Sequence, residues 1–150
     1  MAQWQSPKRS TVTPFVMVKD AKKTIEFAID VFGAALVSKP LMRADGSLWN
    51  AEVKIGDSTI MFSEPQDDMQ FPVFLYVHVP DADETFKRAV AVGAEPMLPP
   101  TDQFYGEHDG GFRDAQGNIW WVSTHKEIVE EKEIERRARE HEKRMKEQGE

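Results

Sequence analysis

Apolar and polar residues alternate over 13–18 (Thr-Pro-Phe-Val-Met-Val) and again over 74–79 (Phe-Leu-Tyr-Val-His-Val). A period of two predicts a strand with one buried face. An aspartate follows each stretch, Asp20 or Asp81, at a helix N-cap position where a carboxylate accepts from free backbone N–H groups. Apolar residues then recur at helical spacing: Ile25, Phe27, Ile29 and Phe32 in one case, Phe86, Ala89, Val90 and Val92 in the other. Gly33 and Gly93 suit the position just past a helix end, where positive φ is favoured. Three more strands are predicted after each helix, over about 35–43, 48–55 and 58–63, and over about 95–99, 110–114 and 118–124. Asp45-Gly46, Gly56-Asp57 and Gln116-Gly117 supply turns between them.

The two patterns are copies of one another. At an offset of 61, Val16 meets Val77, Val18 meets Val79, Asp20 meets Asp81, Ala21 meets Ala82 and Thr24 meets Thr85. Gly33-Ala34 meets Gly93-Ala94 at an offset of 60, and Ile60-Met-Phe-Ser63 meets Trp120-Trp-Val-Ser123. A collinear series of this length implies duplication of a β-α-β-β-β unit. The expected fold is α+β: tandem βαβββ modules at 11–66 and 72–125 forming a curved mixed sheet around a cavity. An N-terminal extension, 1–10, precedes them and a charged C-terminal helix, 126–150, follows, within one domain overall.

That last segment is dense in charge, with eight basic and nine acidic side chains. Acid-before-base pairs four apart, such as Glu133/Arg137 and Glu140/Arg144, support a helix. Its apolar residues, Ile128, Val129, Ile134, Ala138 and Met145, are few, which predicts a docked start near 128–134 and an exposed remainder.

Composition narrows the function. The chain has 150 residues and a net charge of −7, which argues against a nucleic-acid surface. Val73–Val79 is too short an apolar run to cross a bilayer, and residues 1–12 lack the apolar stretch of a secretory signal. Without cysteine there is no disulfide, thiolate metal site or cysteine nucleophile, and a cytoplasmic location is the default expectation.

The tandem βαβββ pattern resembles the vicinal oxygen chelate superfamily of glyoxalases, bleomycin-resistance proteins and extradiol dioxygenases. Several stretches carry the likeness toward its PhnB-like branch: Val12-Thr-Pro-Phe-Val, Asp20-Ala, Phe32-Gly-Ala34, Ala51-Glu52, Ile55-Gly-Asp-Ser58, Phe104-Tyr-Gly106, and Arg113-Asp114 through Gly117, Trp120 and Ser123-Thr-His125. The resemblance implies a cavity between two sheets and, in metal-dependent members, four ligand positions of His, Gln or Glu. Here these fall on Thr13, Met61, Phe74 and Trp121, which do not make a divalent site, so no metal and no cofactor is expected. Asn50 and Asn118 stand where that branch often has histidine, and Gly106-Glu107-His108 where it often has Gly-Asp-Arg.

Strand alternation places Thr13, Phe15 and Met17, then Phe74, Tyr76 and His78, then Ile119, Trp121 and Ser123 on the cavity side. An aromatic wall of Phe15, Phe74, Tyr76 and Trp121 around Met61 suits a planar or partly apolar ligand, unless the rings simply pack on one another. Glu52 and Arg113 occupy equivalent positions and are candidates for an ion pair or for orienting a polar ligand, with Asn50 adding a neutral hydrogen bond. Tyr105, Glu107 and His108 resemble an acid–base cluster on a glycine-rich segment, 104–111, that reads as a lid. The leading expectation is a metal-independent, homodimeric small-molecule-binding protein. One alternative is an isomerase or lyase of the same superfamily using Glu52, His108 and Tyr105 as acid–base residues, or a metal, and another an interaction module acting through the charged tail.

Overall fold

A computed structural model describes residues 3–149. The first half comprises β1 (Phe15–Met17), α1 (Ala21–Phe32), two short strands β2 (Ala35–Leu36) and β3 (Leu41–Met42), β4 (Leu48–Ile55) and β5 (Ser58–Ser63). The second comprises β6 (Phe74–His78), α2 (Ala82–Ala91), β7 (Glu95–Asp102), β8 (Glu107–Arg113) and β9 (Ile119–His125), and α3 (Glu131–Gln148) ends the described chain. The architecture is α+β, with two βαβββ modules and a C-terminal helix. The strands form two mixed sheets, one from each module. The order is β1-β5-β4-β2 in the first, with β3 also on β4, and β6-β9-β8-β7 in the second. In each sheet the module's first strand runs parallel to its last, and the last two strands are antiparallel.

The helices lie on the inner faces of the sheets, and the core is there. Val16, Val53, Ile60 and Phe62 of the first module join Phe112, Trp120 and Val122 of the second in one buried cluster. Helix α1 connects the modules. Its Phe27 ring sits 5.9 Å from Phe112 and 6.0 Å from Trp120, and its Phe32 ring 5.1 Å from Trp120. Full burial of each such aromatic ring contributes roughly 1.5–3 kcal/mol. The opposite face of each sheet packs against neither α1 nor α2.

Asp81 caps α2 as expected, accepting from Glu84 N at 3.1 Å. Asp20 does not cap α1: its backbone is left-handed at φ 57° and its side chain makes no cap bond. Glu64 replaces it, reaching from the end of β5 to accept from Ala21 N at 3.0 Å and Leu48 N at 2.6 Å.

The expected lid at 104–111 is largely a strand. Glu107–Arg113 is β8, an inner strand between β9 and β7. Its glycines are there for space. A Cβ on Gly111 would lie 2.0 Å from the Trp121 ring, and one on Gly110 2.3 Å from the Leu98 carbonyl oxygen.

The tail helix forms, but its start is not docked through Ile128, which is 91% exposed, and α3 has no buried residue. Polar and aromatic contacts attach it instead. Arg137 donates to the Phe104 carbonyl at 3.1 Å and to Glu127 at 2.8 Å, and the Phe104 ring lies 5.3 Å from His141. Among the described residues no helix is long and apolar enough to cross a membrane.

Candidate functional site

The open face of the second sheet gathers the most chemistry. Alternation along β6 turns Leu75, Val77 and Val79 toward the helices, leaving Phe74, Tyr76 and His78 outward. On β9 the same parity buries Trp120 and Val122 and turns Trp121, Ser123 and His125 out. On β8, Phe112 points into the core, so Glu107, Asp109, Gly111 and Arg113 share the open face. The pairing aligns these into rows: Gly111–Trp121–Tyr76, then Asp109–Ser123–His78, then Glu107–His125.

The first row is aromatic. The Trp121 ring lies over Gly111 and stacks on Phe74 at 5.7 Å and 24°. Phe74 and Tyr76 stay 60% and 46% exposed, so the chain does not cover its own aromatic wall. The next rows are acidic. Asp109 is 1% exposed, and one of its oxygens accepts from both Tyr76 (2.9 Å) and Tyr105 (2.6 Å). Its other oxygen, Oδ1, is buried without a partner. Glu107 accepts from Ser123 at 2.7 Å and meets His78 Nε2 at 2.9 Å, and its second oxygen meets His125 Nδ1.

These contacts fix protonation states. Burial, opposed by a bond with Ser123 and reinforced by the Asp109 carboxylate, pushes the Tyr76 phenol up to about 12. Burial and the Asp109 carboxylate push Tyr105 further up. Both phenols are therefore donors at neutral pH. Burial of Glu107 favours its neutral form, but bonds from Ser123, His125 and His78 together outweigh it and hold the carboxyl below its usual range.

The first sheet's open face is partly covered by the chain's own N-terminal arm. Phe15, Met61 and Glu52 stand side by side across β1, β5 and β4. Arg9 forms an ion pair with Glu52, and the Lys8 carbonyl accepts from Thr59 at 2.8 Å. Thr13 lies just before β1 and bonds back to the Ser10 carbonyl at 3.1 Å. Asn50 is half-buried on β4, opposite Leu41.

The structure thus brings Phe74, Tyr76, Trp121 and Tyr105 together, and places Phe15, Met61 and Glu52 on the other sheet. Arg113 shares the face of Trp121 but does not meet Glu52. Its nearest acid is Glu95, at 3.7 Å. His108 points to the helix side, bonded to Asp102 at 2.7 Å and to Asp83 of α2 at 3.0 Å, apart from Tyr105 and Glu107. Asp109 and the pairing of Glu107 with His78 and His125 were not singled out from the sequence, although counting back by twos from Arg113 reaches both carboxylates.

A cleft of about 490 Å³ runs along the outer edge of β6, lined by Tyr76, His78 and Val79 and by Pro14, Ile55 and Phe32 of the first module. Asn118 and Asp114 have a structural role. The Asn118 side chain accepts from Val73 N and donates to Asp114, which also accepts from Trp120 Nε1 at 2.9 Å.

The sequence profile of the Glyoxalase/Bleomycin resistance protein/Dioxygenase superfamily matches residues 11–122, both modules almost to the end of β9. The chain belongs to this superfamily. Thr13, Met61, Phe74 and Trp121, to which the resemblance assigns the metal-ligand positions, offer no imidazole or carboxylate donor for a divalent cation. Among the described residues no group of three His, Asp or Glu side chains is placed to hold one elsewhere. An uncharacterised protein of Mycobacterium bovis is 27% identical over 121 residues, covering 73% of this chain and 79% of that protein. Among solved structures, TioX from Micromonospora sp. ML1 aligns with a TM-score of 0.65 at 24% identity, over 77% of this chain and 98% of that one. The PhnB protein of Bacillus cereus, described as a putative 3-demethylubiquinone-9 3-methyltransferase, aligns at 0.63 and 18%, over 77% and 99%. The fosfomycin resistance protein FosX of Listeria monocytogenes aligns at 0.57 and 19%, over 83% and 97%. These similarities establish the superfamily fold.

Proposed function

We propose that this chain is a metal-independent small-molecule-binding protein whose ligand, planar or partly apolar, lies on the aromatic open face of the second sheet. The observation that carries this reading is the uncovered ring set itself. Phe74 and Tyr76 are about half exposed in strands whose other faces are packed, and Trp121 is held flat on a glycine that admits no side chain. Rings fixed in this way present area without further ordering cost. Binding is favoured over acid–base catalysis because Glu52, His108 and Tyr105 lie in three separate settings. Glu52 is paired with Arg9, His108 lies between two aspartates on the helix side, and Tyr105 is held protonated on Asp109.

We further propose a homodimer in which a second copy covers the open faces. Two outward faces carrying Phe15, Phe74 and Tyr76 suit an interface of at least the standard ~1,600 Å².

A thermal-shift screen of small molecules against the full chain tests the binding reading, with hits measured again on folded W121A and F74A protein. Each substitution should weaken binding by at least about 0.5–1.5 kcal/mol, the stacking contribution of one ring beyond area burial. A hit whose affinity is unchanged in both variants would place the site elsewhere.

A further inference from the structure

Two carboxylates underlie the aromatic row, and no Lys or Arg among the described residues pairs with either. Asp109 is held by two phenols, and Glu107 by a serine hydroxyl and two imidazoles. Phenols and a hydroxyl solvate a carboxylate but do not cancel its charge. Glu52 has Arg9, and Asp114 has donors on both oxygens, including the Trp120 indole and the Asn118 amide. Asp109 retains one buried oxygen with no partner at all. The second sheet's open face therefore carries negative charge without a fixed counter-charge, within one strand repeat of exposed aromatic rings. Two residues along a strand span roughly 6–7 Å, so the edge of a fused ring system lying on Trp121 reaches toward the Asp109 row. Arg113, the one fixed cation on this face among the described residues, stands in the row of Phe74, on the far side of Trp121 from the carboxylates, and is turned to Glu95.

We infer that the ligand class of this face is a planar organic cation. Its ring system stacks on Trp121 and Phe74, and its positive nitrogen lies toward the Asp109 and Glu107 rows. This rests on the binding reading above and adds the sign of the charge. The rings contribute twice, through apolar burial and through attraction of a cation to their faces.

Three probes of one shape separate the charge from the stacking: N-methylacridinium, neutral acridine and acridine-9-carboxylate. They are titrated by tryptophan fluorescence and calorimetry against the full chain at mildly alkaline pH. The expected order is cation, then neutral ring, then anion, with the cation bound about tenfold more tightly than acridine at low salt. That advantage should shrink between about 20 and about 300 mM salt, as the Debye length falls. E107Q and D109N should each narrow the ratio of cation to neutral affinity. The salt titration on unmodified protein decides the question should either variant fail to fold. Acridine binding as tightly as N-methylacridinium, or the carboxylate binding most tightly, would overturn the charge inference and leave the aromatic site standing. Failure of all three to bind would overturn both.

Discussion

Replacing Gly111 with alanine tests the packing on which the aromatic face depends. The new Cβ would lie 2.0, 2.4 and 2.8 Å from Trp121 Cε3, Cζ3 and Cδ2, far inside contact distance. The obstacle is a half-exposed ring on the open face, so the ring can lift away without moving the backbone. Overpacking of this kind costs about 1–3 kcal/mol. Alanine recovers about 0.5–1 kcal/mol over glycine within a strand, so the net loss is about 1–2 kcal/mol. For a chain of this size that is a fall in Tm of roughly 2–8 °C. Gly110 gives the contrast. Its Cβ would meet backbone atoms, Leu98 O at 2.3 Å and Pro100 N at 2.5 Å, which cannot swing aside. G110A should therefore cost more than about 3 kcal/mol, beyond the usual overpacking range. Urea unfolding read by tryptophan fluorescence measures both, and near-UV circular dichroism follows the Trp121 ring. G111A should also weaken ligand binding, because the lifted ring leaves Phe74. The reasoning fails if G111A keeps wild-type stability and an unchanged near-UV spectrum, or if G110A is the milder change.

Other outcomes follow from contacts already described. D114A strips the acceptor from the buried Trp120 indole, the Asn118 amide and two backbone N–H groups, and should cost at least about 3 kcal/mol in urea unfolding. D114N, which keeps one acceptor oxygen, should cost less. Stability should depend on pH at both ends. Glu107 has a lowered pKa in the fold, so its contribution is present above the unfolded value of about 4.3 and is lost as pH falls through the folded one. Its E107Q variant should flatten the acid limb of a thermal-unfolding series. Bonding to Asp83, opposed by burial and reinforced by Asp102, raises the His108 pKa. That contribution is present below about 6.5 and disappears as pH rises through the folded value, so H108Q should remove the alkaline slope. Light scattering should find twice the 17.1 kDa chain mass. Deleting residues 135–150 should leave that dimer intact, since α3 buries nothing, and dissociation on deletion would make its charges interfacial.

Strands β4 and β5 are legible in the sequence because alternation and the Gly56-Asp57 turn agree on their limits. The outward set Phe74, Tyr76 and Trp121 is legible for the same reason, since parity fixes the face. Strand β8 is legible only in its second half, where a strand is expected over about 110–114. Its first half reads as part of a glycine-rich loop, when the space Gly110 and Gly111 free is filled by the β7 backbone and the Trp121 ring. Missing that first half hid the face that Glu107 and Asp109 share with Arg113, and grouped His108 with groups on the other side of the sheet. The Arg9–Glu52 pair was equally hidden, because its partners are 43 residues apart and Arg113 offered the symmetric alternative. Local pattern carries no information about which of two arginines arrives.

The position of α1 makes the duplicated halves unequal partners in folding. Phe27 and Phe32 supply aromatic packing to Phe112 and Trp120, which belong to the other half. The counterpart of Phe32 in the second half is Val92, nearly half exposed, so α2 returns no such service to the first sheet. The dependence runs one way. A fragment carrying residues 72–125 alone would leave Trp120 without its α1 rings and Phe112 with only Phe86 of α2 against it, and a cut in the 64–73 linker should be tolerated only while both pieces are present. In hydrogen exchange, the amides of β8 and β9 should open with α1 as one foldon. Two matching units have in this way become a single cooperative body, in which the second half leans on a helix it does not own.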